Sequence, residues 1–96
     1  MQKNQKIEWL QDIVKMETIN GNEEIVAKYI QNKLKQVNIS TELIQYADNR
    51  SSLVATIKKG NSDKVLGLTG HMDVVDPGDA SDWKYPPFSA TIEGNK

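Results

Sequence analysis

The sequence contains one histidine, His71, and an aspartate, Asp73, follows it two positions later. Since the sequence has no cysteine, a metal site in it must use histidine and carboxylates. In an extended backbone, side chains at i and i+2 project to the same side. The Asp73 carboxylate is therefore expected to bond one ring nitrogen of His71 and leave the other free for a metal. From these residues alone, a strand-end histidine with ordinary hydrogen bonds is the favoured interpretation.

The residues before His71 predict the element that positions it. Residues 65–69 are apolar and predict a buried strand, and Gly70 then ends it. His71 is expected at the exposed end of this strand, where open α/β sheets bind their ligands.

Further strands are predicted on both sides of this segment. Alternating residues predict a strand over about 40–46, and β-branched residues predict another over 53–57, with a turn at 48–51 between them. A turn cluster at 59–63 predicts a hairpin with the strand before His71, and 90–92 is a candidate last strand.

Two helices are expected to precede the strands, over about 3–18 and 23–37. Glu23 and Glu24 fall in the first turn of the second helix, where the helix dipole favours negative charge. The order predicts an α/β fold class, with two amino-terminal helices packed on a small mixed sheet. The apolar stripes that carry this prediction are Ile7, Leu10 and Val14 in the first helix, and Val26, Ile30 and Leu34 in the second.

Composition narrows the class of protein further. The chain has 96 residues, enough for one domain or part of one, and its 38% hydrophobic and 26% charged residues are ordinary for a globular protein. A net charge of -1 gives no general attraction to nucleic acid or anionic membranes. The polar start and the lack of a long apolar run predict a cytoplasmic protein rather than a secreted or membrane protein.

A longer string of residues surrounds the histidine: Gly70-His71-Met72-Asp73-Val74-Val75, then Trp83, Pro87-Phe88 and Ile92-Glu93-Gly94. This string closely resembles the first metal-site motif of the zinc metallopeptidase/aminoacylase family, which includes succinyl-diaminopimelate desuccinylase, acetylornithine deacetylase and carboxypeptidase G. The amino-terminal helices and strands are also similar, so the resemblance covers nearly the whole chain. One departure is that Asp76 stands where many members have proline.

The resemblance implies roles for two residues of this chain. His71 would bind one of two zinc ions, for which cobalt can substitute, and Asp73 would orient that imidazole as part of the catalytic machinery. The family's bridging aspartate, general-base glutamate and other ligands belong to motifs beyond Lys96. Residues 1–96 would thus be the incomplete amino-terminal part of a zinc-exopeptidase-type catalytic domain, inactive by itself.

The resemblance also implies a reaction and partners. The parent protein would be a cytoplasmic dizinc hydrolase, expected to be a homodimer, that removes an N-acyl group from a small amino acid or peptide substrate. N-succinyl-diaminopimelate is the first expectation, and acetylornithine deacetylase or dipeptidase activity is the second. A non-catalytic module, either a truncated remnant or a small folding and interaction domain, is a different class that stays open. The fragment is expected to self-associate, because truncation would leave a sheet edge and apolar helix faces uncovered.

Other polar and aromatic residues have two interpretations. Trp83 and Phe88 either contact substrate or anchor their loop to the core, and anchoring is favoured. Asp76, Asp79 and Asp82 suggest calcium, but their spacing lacks the pattern of an EF-hand, which favours a solvated loop.

Overall fold

The computed structural model describes residues 2–96 of the chain and consists of two helices followed by a two-stranded sheet. This arrangement confirms the predicted α/β class, with two amino-terminal helices beside a small sheet. The elements are helix α1 over Lys3–Val14, helix α2 over Glu24–Gln36, strand β1 over Thr41–Ala47, strand β2 over Arg50–Ala55 and a 3-10 turn over Ala80–Asp82.

Helix α2 is the element that covers the sheet. Its Val26 is 2% exposed and its Ala27 is fully buried, and the helix contacts both strands. The carboxylate of Glu24 adds polar ties, since its Oε2 accepts hydrogen bonds from Gln45 Nε2 at 3.2 Å and Ser51 Oγ at 3.1 Å. Apolar packing and these bonds together fix the first turn of α2 against β1 and β2.

Helix α1 lies beside α2 and is less buried. None of the twelve residues of α1 is buried, and a hydrogen bond and a lysine beside aromatic rings join it to α2. The Tyr29 hydroxyl donates to Asp12 Oδ2 at 2.6 Å, while Lys33 Nζ lies 5.2 Å from the Trp9 ring centroid and 5.1 Å from that of Tyr29. Desolvation of the phenol and the bond to Asp12 raise the pKa of Tyr29 to about 12.

The end of α1 differs from its prediction. The helix stops at Val14, four residues before the expected end at Thr18. Residues 18–20 instead pair with residues 72–74, and Ile19 and Val74 form an isolated parallel bridge. A helical backbone would use these amide and carbonyl groups within the helix, so the long-range pairing and four more helical residues exclude each other.

The hairpin is formed by β1 and β2, so the predicted hairpin between 53–57 and 65–69 is wrong. The two strands are antiparallel, and their register shifts between Gln45 and Ala47. Because of this shift Arg50 pairs with Ala47, and Asn49 makes the turn with φ of 60°. The predicted turn over 48–51 therefore takes only its first two residues, and Arg50 becomes the first residue of β2.

The expected third and fourth strands are wrong. Within residues 2–96 the sheet contains only β1 and β2, so it is antiparallel rather than mixed, and neither 65–69 nor 90–92 forms a strand. Val65, Leu66 and Leu68 are 92%, 84% and 89% exposed. Strand propensity measures how a residue fits a paired, half-buried surface, and residues 65–69 have no such partner among the described residues.

Candidate metal site

His71 lies on an extended segment and presents its ring to solvent. Its side chain is 85% exposed, and Nδ1 lies 2.7 Å from the carbonyl oxygen of Asp73 and 3.3 Å from Asp73 Oδ1. A carbonyl oxygen can only accept a hydrogen bond, so Nδ1–H is the donor. In the neutral ring Nε2 therefore carries the lone pair, and this is the nitrogen that a metal ion can use.

Asp73 contacts His71 in a different way from the simplest expectation. The expected contact between carboxylate and ring is present at 3.3 Å, but the shorter bond goes to the main-chain carbonyl of Asp73. The backbone carbonyl thus supplies the shorter bond to Nδ1, and the carboxylate adds a second, longer contact to the same nitrogen. The roles of His71 as ligand and Asp73 as orienting residue stay predictions.

The other oxygen of the Asp73 carboxylate faces Arg50. Arg50 Nη2 lies 3.6 Å from Asp73 Oδ2, and Arg50 Nε lies 3.1 Å from Glu23 Oε1 and 3.3 Å from Glu23 Oε2. One guanidinium thus lies between two carboxylates. The side chain of Glu23 is only 5% exposed, whereas that of Arg50 is 36% exposed and that of Asp73 is 39% exposed.

The buried end of this cluster is fully satisfied. The Tyr46 hydroxyl donates to Glu23 Oε1, and this bond is the largest cause that lowers the pKa of Glu23, with Arg50 contributing further and burial opposing it. The same bond raises the pKa of Tyr46. Glu23 is therefore ionised at neutral pH and pairs with the guanidinium, whose own pKa is raised by it.

A second set of bonds fixes the backbone on either side of Asp73. Thr18 is 2% exposed, and its Oγ1 donates to the carbonyl of Met72 at 2.8 Å. The amide of Val74 donates to the carbonyl of Thr18 at 3.0 Å, and the amide of Asn20 donates to the carbonyl of Val74 at 2.8 Å. These three bonds hold residues 72–74 against the segment that follows α1.

Comparison with known proteins finds relatives that are similar over nearly the whole chain. The chain is 44% identical over 91 residues, 95% of its length, to a probable succinyl-diaminopimelate desuccinylase of Staphylococcus epidermidis. It is 40% identical over 96% of its length to a protein of the same name from Staphylococcus aureus. It is also 36% identical over 88% of its length to the succinyl-diaminopimelate desuccinylase of Blochmanniella pennsylvanica.

The chain is thus similar, over nearly all of its length, to proteins named succinyl-diaminopimelate desuccinylase. It spans about a fifth of the length of these relatives, 22% of each. No family model matches the chain. The similarity extends over nearly all of the segment that contains α1, α2, the hairpin and His71.

The desuccinylase-like segment does not gather a complete metal site. Among the described residues, 2–96, no group of three or more histidine, cysteine, aspartate and glutamate side chains is placed to hold one ion. The polar loop residues are used locally: Asp76 Oδ1 accepts from the amide of Gly78 at 2.8 Å, and Asp79 Oδ1 accepts from the amide of Ser81 at 2.9 Å. The bond from Ser81 lowers the pKa of Asp79.

The aromatic residues of the loop lie near His71. Trp83 Nε1 donates to the carbonyl of Pro77 at 3.0 Å, which ties the indole to its own loop. Trp83 and Phe88 line a cavity of about 530 Å³ together with His71 and Val26. Trp83 and Phe88 therefore face a cavity that α2 and the histidine also line.

Three residues near the candidate site were missed by reasoning from the sequence. Glu23 was interpreted as a first-turn charge, Arg50 as part of a turn, and Thr18 as the last residue of a helix. One signal was available, because Arg50 is the only arginine in the printed sequence, in which all other basic residues except His71 are lysine. The planar fork of arginine suits contact with two carboxylates, which the point charge of lysine does not.

Among residues 2–96, no helix combines the length and the apolar character needed to cross a bilayer.

Proposed function

We propose that this chain is the part of a dizinc amidohydrolase that supplies one zinc ligand, His71, and the residue that orients it, Asp73. The observation that carries the proposal is the hydrogen bonding and exposure of the His71 imidazole. Its Nδ1 is occupied by a bond to the Asp73 carbonyl, and its exposed ring therefore offers Nε2 to an ion. Similarity to the desuccinylases over 95% of the chain supports the same reading.

The chemistry of the donor fits zinc. Zinc prefers imidazole nitrogen and carboxylate oxygen where thiolates are absent, and a zinc-binding histidine usually donates its second ring nitrogen to a carbonyl or a carboxylate. His71 meets both conditions, and cobalt can occupy such a site. When bound, two zinc ions would polarise an amide carbonyl and lower the pKa of a water molecule. The other ligands and the general base would come from outside residues 2–96.

The residues of this chain would act by orientation. The Asp73 carbonyl and carboxylate set the rotation of the His71 ring, and the bonds of Thr18 set the backbone of residues 72–74. The catalytic contribution of Asp73 is thus to keep Nε2 in one direction rather than to exchange a proton with substrate. Rigid placement of a ligand matters because a metal site tolerates only small displacements of its donors.

The proposed reaction is hydrolysis of an N-acyl amino acid. N-succinyl-diaminopimelate is the first candidate because the relatives carry that name. An acetylornithine deacetylase or a dipeptidase of the same family is the second. The proposal includes residues 1–96 as the amino-terminal part of the catalytic domain, a cytoplasmic location and a homodimeric parent protein.

A non-catalytic module is the competing function. Val65, Leu66 and Leu68 are each more than four-fifths exposed, which is unfavourable in a free-standing module and favours coverage by other residues of a larger domain. The proposal therefore predicts that residues 1–96 alone do not hydrolyse N-succinyl or N-acetyl amino acids. Hydrolysis by the purified 96-residue chain would contradict it.

The decisive experiment replaces the single histidine in a protein that carries this sequence at the length of its relatives. In His71→Ala, zinc affinity and hydrolysis should fall together, by more than the roughly 10- to 100-fold loss typical of a residue that only supports a ligand. Asp82→Ala, an exposed acid of the loop, is the matched control and should leave both unchanged. Zinc content is measured by mass spectrometry and affinity by chelator competition.

The substrate is tested in the same preparations. Faster hydrolysis of N-succinyl-diaminopimelate than of N-acetylornithine or a dipeptide supports the first candidate, and the reverse order supports the second. Unchanged zinc stoichiometry in His71→Ala would remove this residue from the metal site and refute the proposal.

A further inference from the structure

We infer that Arg50 is a positioning residue, which holds the Asp73 carboxylate toward His71 by bracing it against the buried carboxylate of Glu23. The inference rests on the proposed function, because it concerns the histidine that would bind zinc. It adds a residue from the β-hairpin to a site that the motif alone restricts to residues 71–73.

The guanidinium contacts both carboxylates with different nitrogens. Nε faces both oxygens of Glu23, at 3.1 and 3.3 Å, and Nη2 faces Asp73 Oδ2 at 3.6 Å. The 3.6 Å distance from Nη2 to Asp73 Oδ2 is long for a direct hydrogen bond, so the contact to Asp73 is chiefly between charges. A planar group with several donors can serve two carboxylates at once, whereas an ammonium group acts as one point charge.

The place of the guanidinium is itself well determined. Arg50 is the first residue of β2, where it pairs with Ala47 directly after the turn. Its guanidinium lies over the ring of Tyr46, with 5.6 Å between Cζ and the ring centroid. Tyr46 and Arg50 both bond Glu23, whose side chain is 5% exposed. Arg50 is thus anchored at its buried side before it reaches Asp73.

The two carboxylate oxygens of Asp73 therefore face different partners. Oδ2 faces Arg50 at 3.6 Å, and Oδ1 faces His71 Nδ1 at 3.3 Å. Rotation of the carboxylate away from the ring would also take Oδ2 away from the cation. Arg50 therefore restrains the orientation of Asp73, and through it the orientation of His71.

The test is a thermodynamic cycle on zinc affinity in a protein that carries this sequence at the length of its relatives. Arg50→Met should weaken zinc binding about 10-fold, the lower end of the effect expected for groups that support a ligand. In an Asp73→Asn background the same substitution should change zinc affinity by less than about 2-fold, because the carboxylate that Arg50 orients is gone. Arg50→Lys should behave like Arg50→Met rather than restore the affinity.

Two further variants separate positioning from folding. Arg50→Met leaves the buried Glu23 charge without its cation, whereas Glu23→Gln/Arg50→Met removes both charges together. The double variant should regain thermal stability, yet its zinc affinity should stay about 10-fold weak. Lys28→Met removes another cation paired with the start of α2, since Lys28 Nζ lies 2.8 Å from Glu24 Oε1, and it should not alter zinc affinity.

The outcomes distinguish this inference from the proposed function. If Arg50→Met weakens zinc equally with and without the Asp73 carboxylate, or not at all, the inference is overturned while the role of His71 stands. If the double variant recovers both stability and zinc affinity, Arg50 serves only to neutralise Glu23 and the inference is overturned as well. If His71→Ala leaves zinc binding unchanged, the proposed function fails and this inference fails with it.

Discussion

The hydroxyl of Thr18 provides a quantitative test of how the His71 segment is held. Thr18 is 2% exposed, and Oγ1 donates to the Met72 carbonyl at 2.8 Å. Thr18→Val keeps the shape of the side chain and removes this one bond. Leaving a buried acceptor without its donor costs about 1–3 kcal/mol, so the pairing of residues 18–20 with 72–74 should open more easily by that free energy.

Amide hydrogen exchange measures this opening directly. The amides of Val74 and Asn20 bond across the pairing, at 3.0 and 2.8 Å, and exchange only when it opens. A loss of about 1–3 kcal/mol corresponds to roughly 5- to 150-fold faster exchange, since each 1.4 kcal/mol is a factor of ten. The expected result in Thr18→Val is acceleration within this range at both amides.

Two controls define the result that would refute this reasoning. Thr18→Ser retains the hydroxyl and should keep most of the protection. Thr91→Val removes an exposed hydroxyl that lies 2.7 Å from Ser89 Oγ, and should change stability by less than about 0.5 kcal/mol. Unchanged exchange at Val74 in Thr18→Val, or equal acceleration in Thr18→Ser, would show that the hydrogen bond does not hold the segment.

The remaining predictions concern charge and exposed apolar residues. Because the folded-state pKa of Glu23 is lower than its usual value of 4.5, its ionised form stabilises the fold above about pH 4.5, and this stability is lost as pH falls through the folded-state pKa. Glu23→Gln should flatten the profile of unfolding free energy against pH below that pH in urea titrations. If the profiles of the variant and the unsubstituted protein stay parallel, ionised Glu23 is not the source of this stability. The isolated 96-residue chain, with Val65, Leu66 and Leu68 exposed, should self-associate in sedimentation velocity, and Leu66→Ser/Leu68→Ser should reduce the association. A monomer before any substitution would contradict this prediction.

Local periodicity was sufficient to predict that two helices and then two strands follow one another, but the predicted hairpin between 53–57 and 65–69 was wrong. Helix α2 was expected over 23–37 and spans Glu24–Gln36, and Asn38, just beyond its end, has φ of 61°. The first strand was expected over 40–46 and spans Thr41–Ala47. These elements depend on the spacing of apolar residues and on turn residues a few positions away, and both are visible in the sequence.

The sequence also determined which residues carry the candidate chemistry. A single histidine followed by an aspartate at i+2 requires no long-range contact to bring the two together. The structure places Nδ1 of His71 2.7 Å from the Asp73 carbonyl and 3.3 Å from its carboxylate. The preference for the carbonyl was not predicted, because it depends on the local backbone angles rather than on residue type.

Only the tertiary structure decided what surrounds that pair. Thr18 and Met72 are 54 positions apart, and Glu23 and Arg50 are 27 positions apart. The strand expected over 65–69 failed for the complementary reason, since its residue types were suitable but it has no paired edge among the described residues. Contacts between distant segments depend on how α2, the hairpin and the loop pack together, and residue spacing along the chain does not predict that packing.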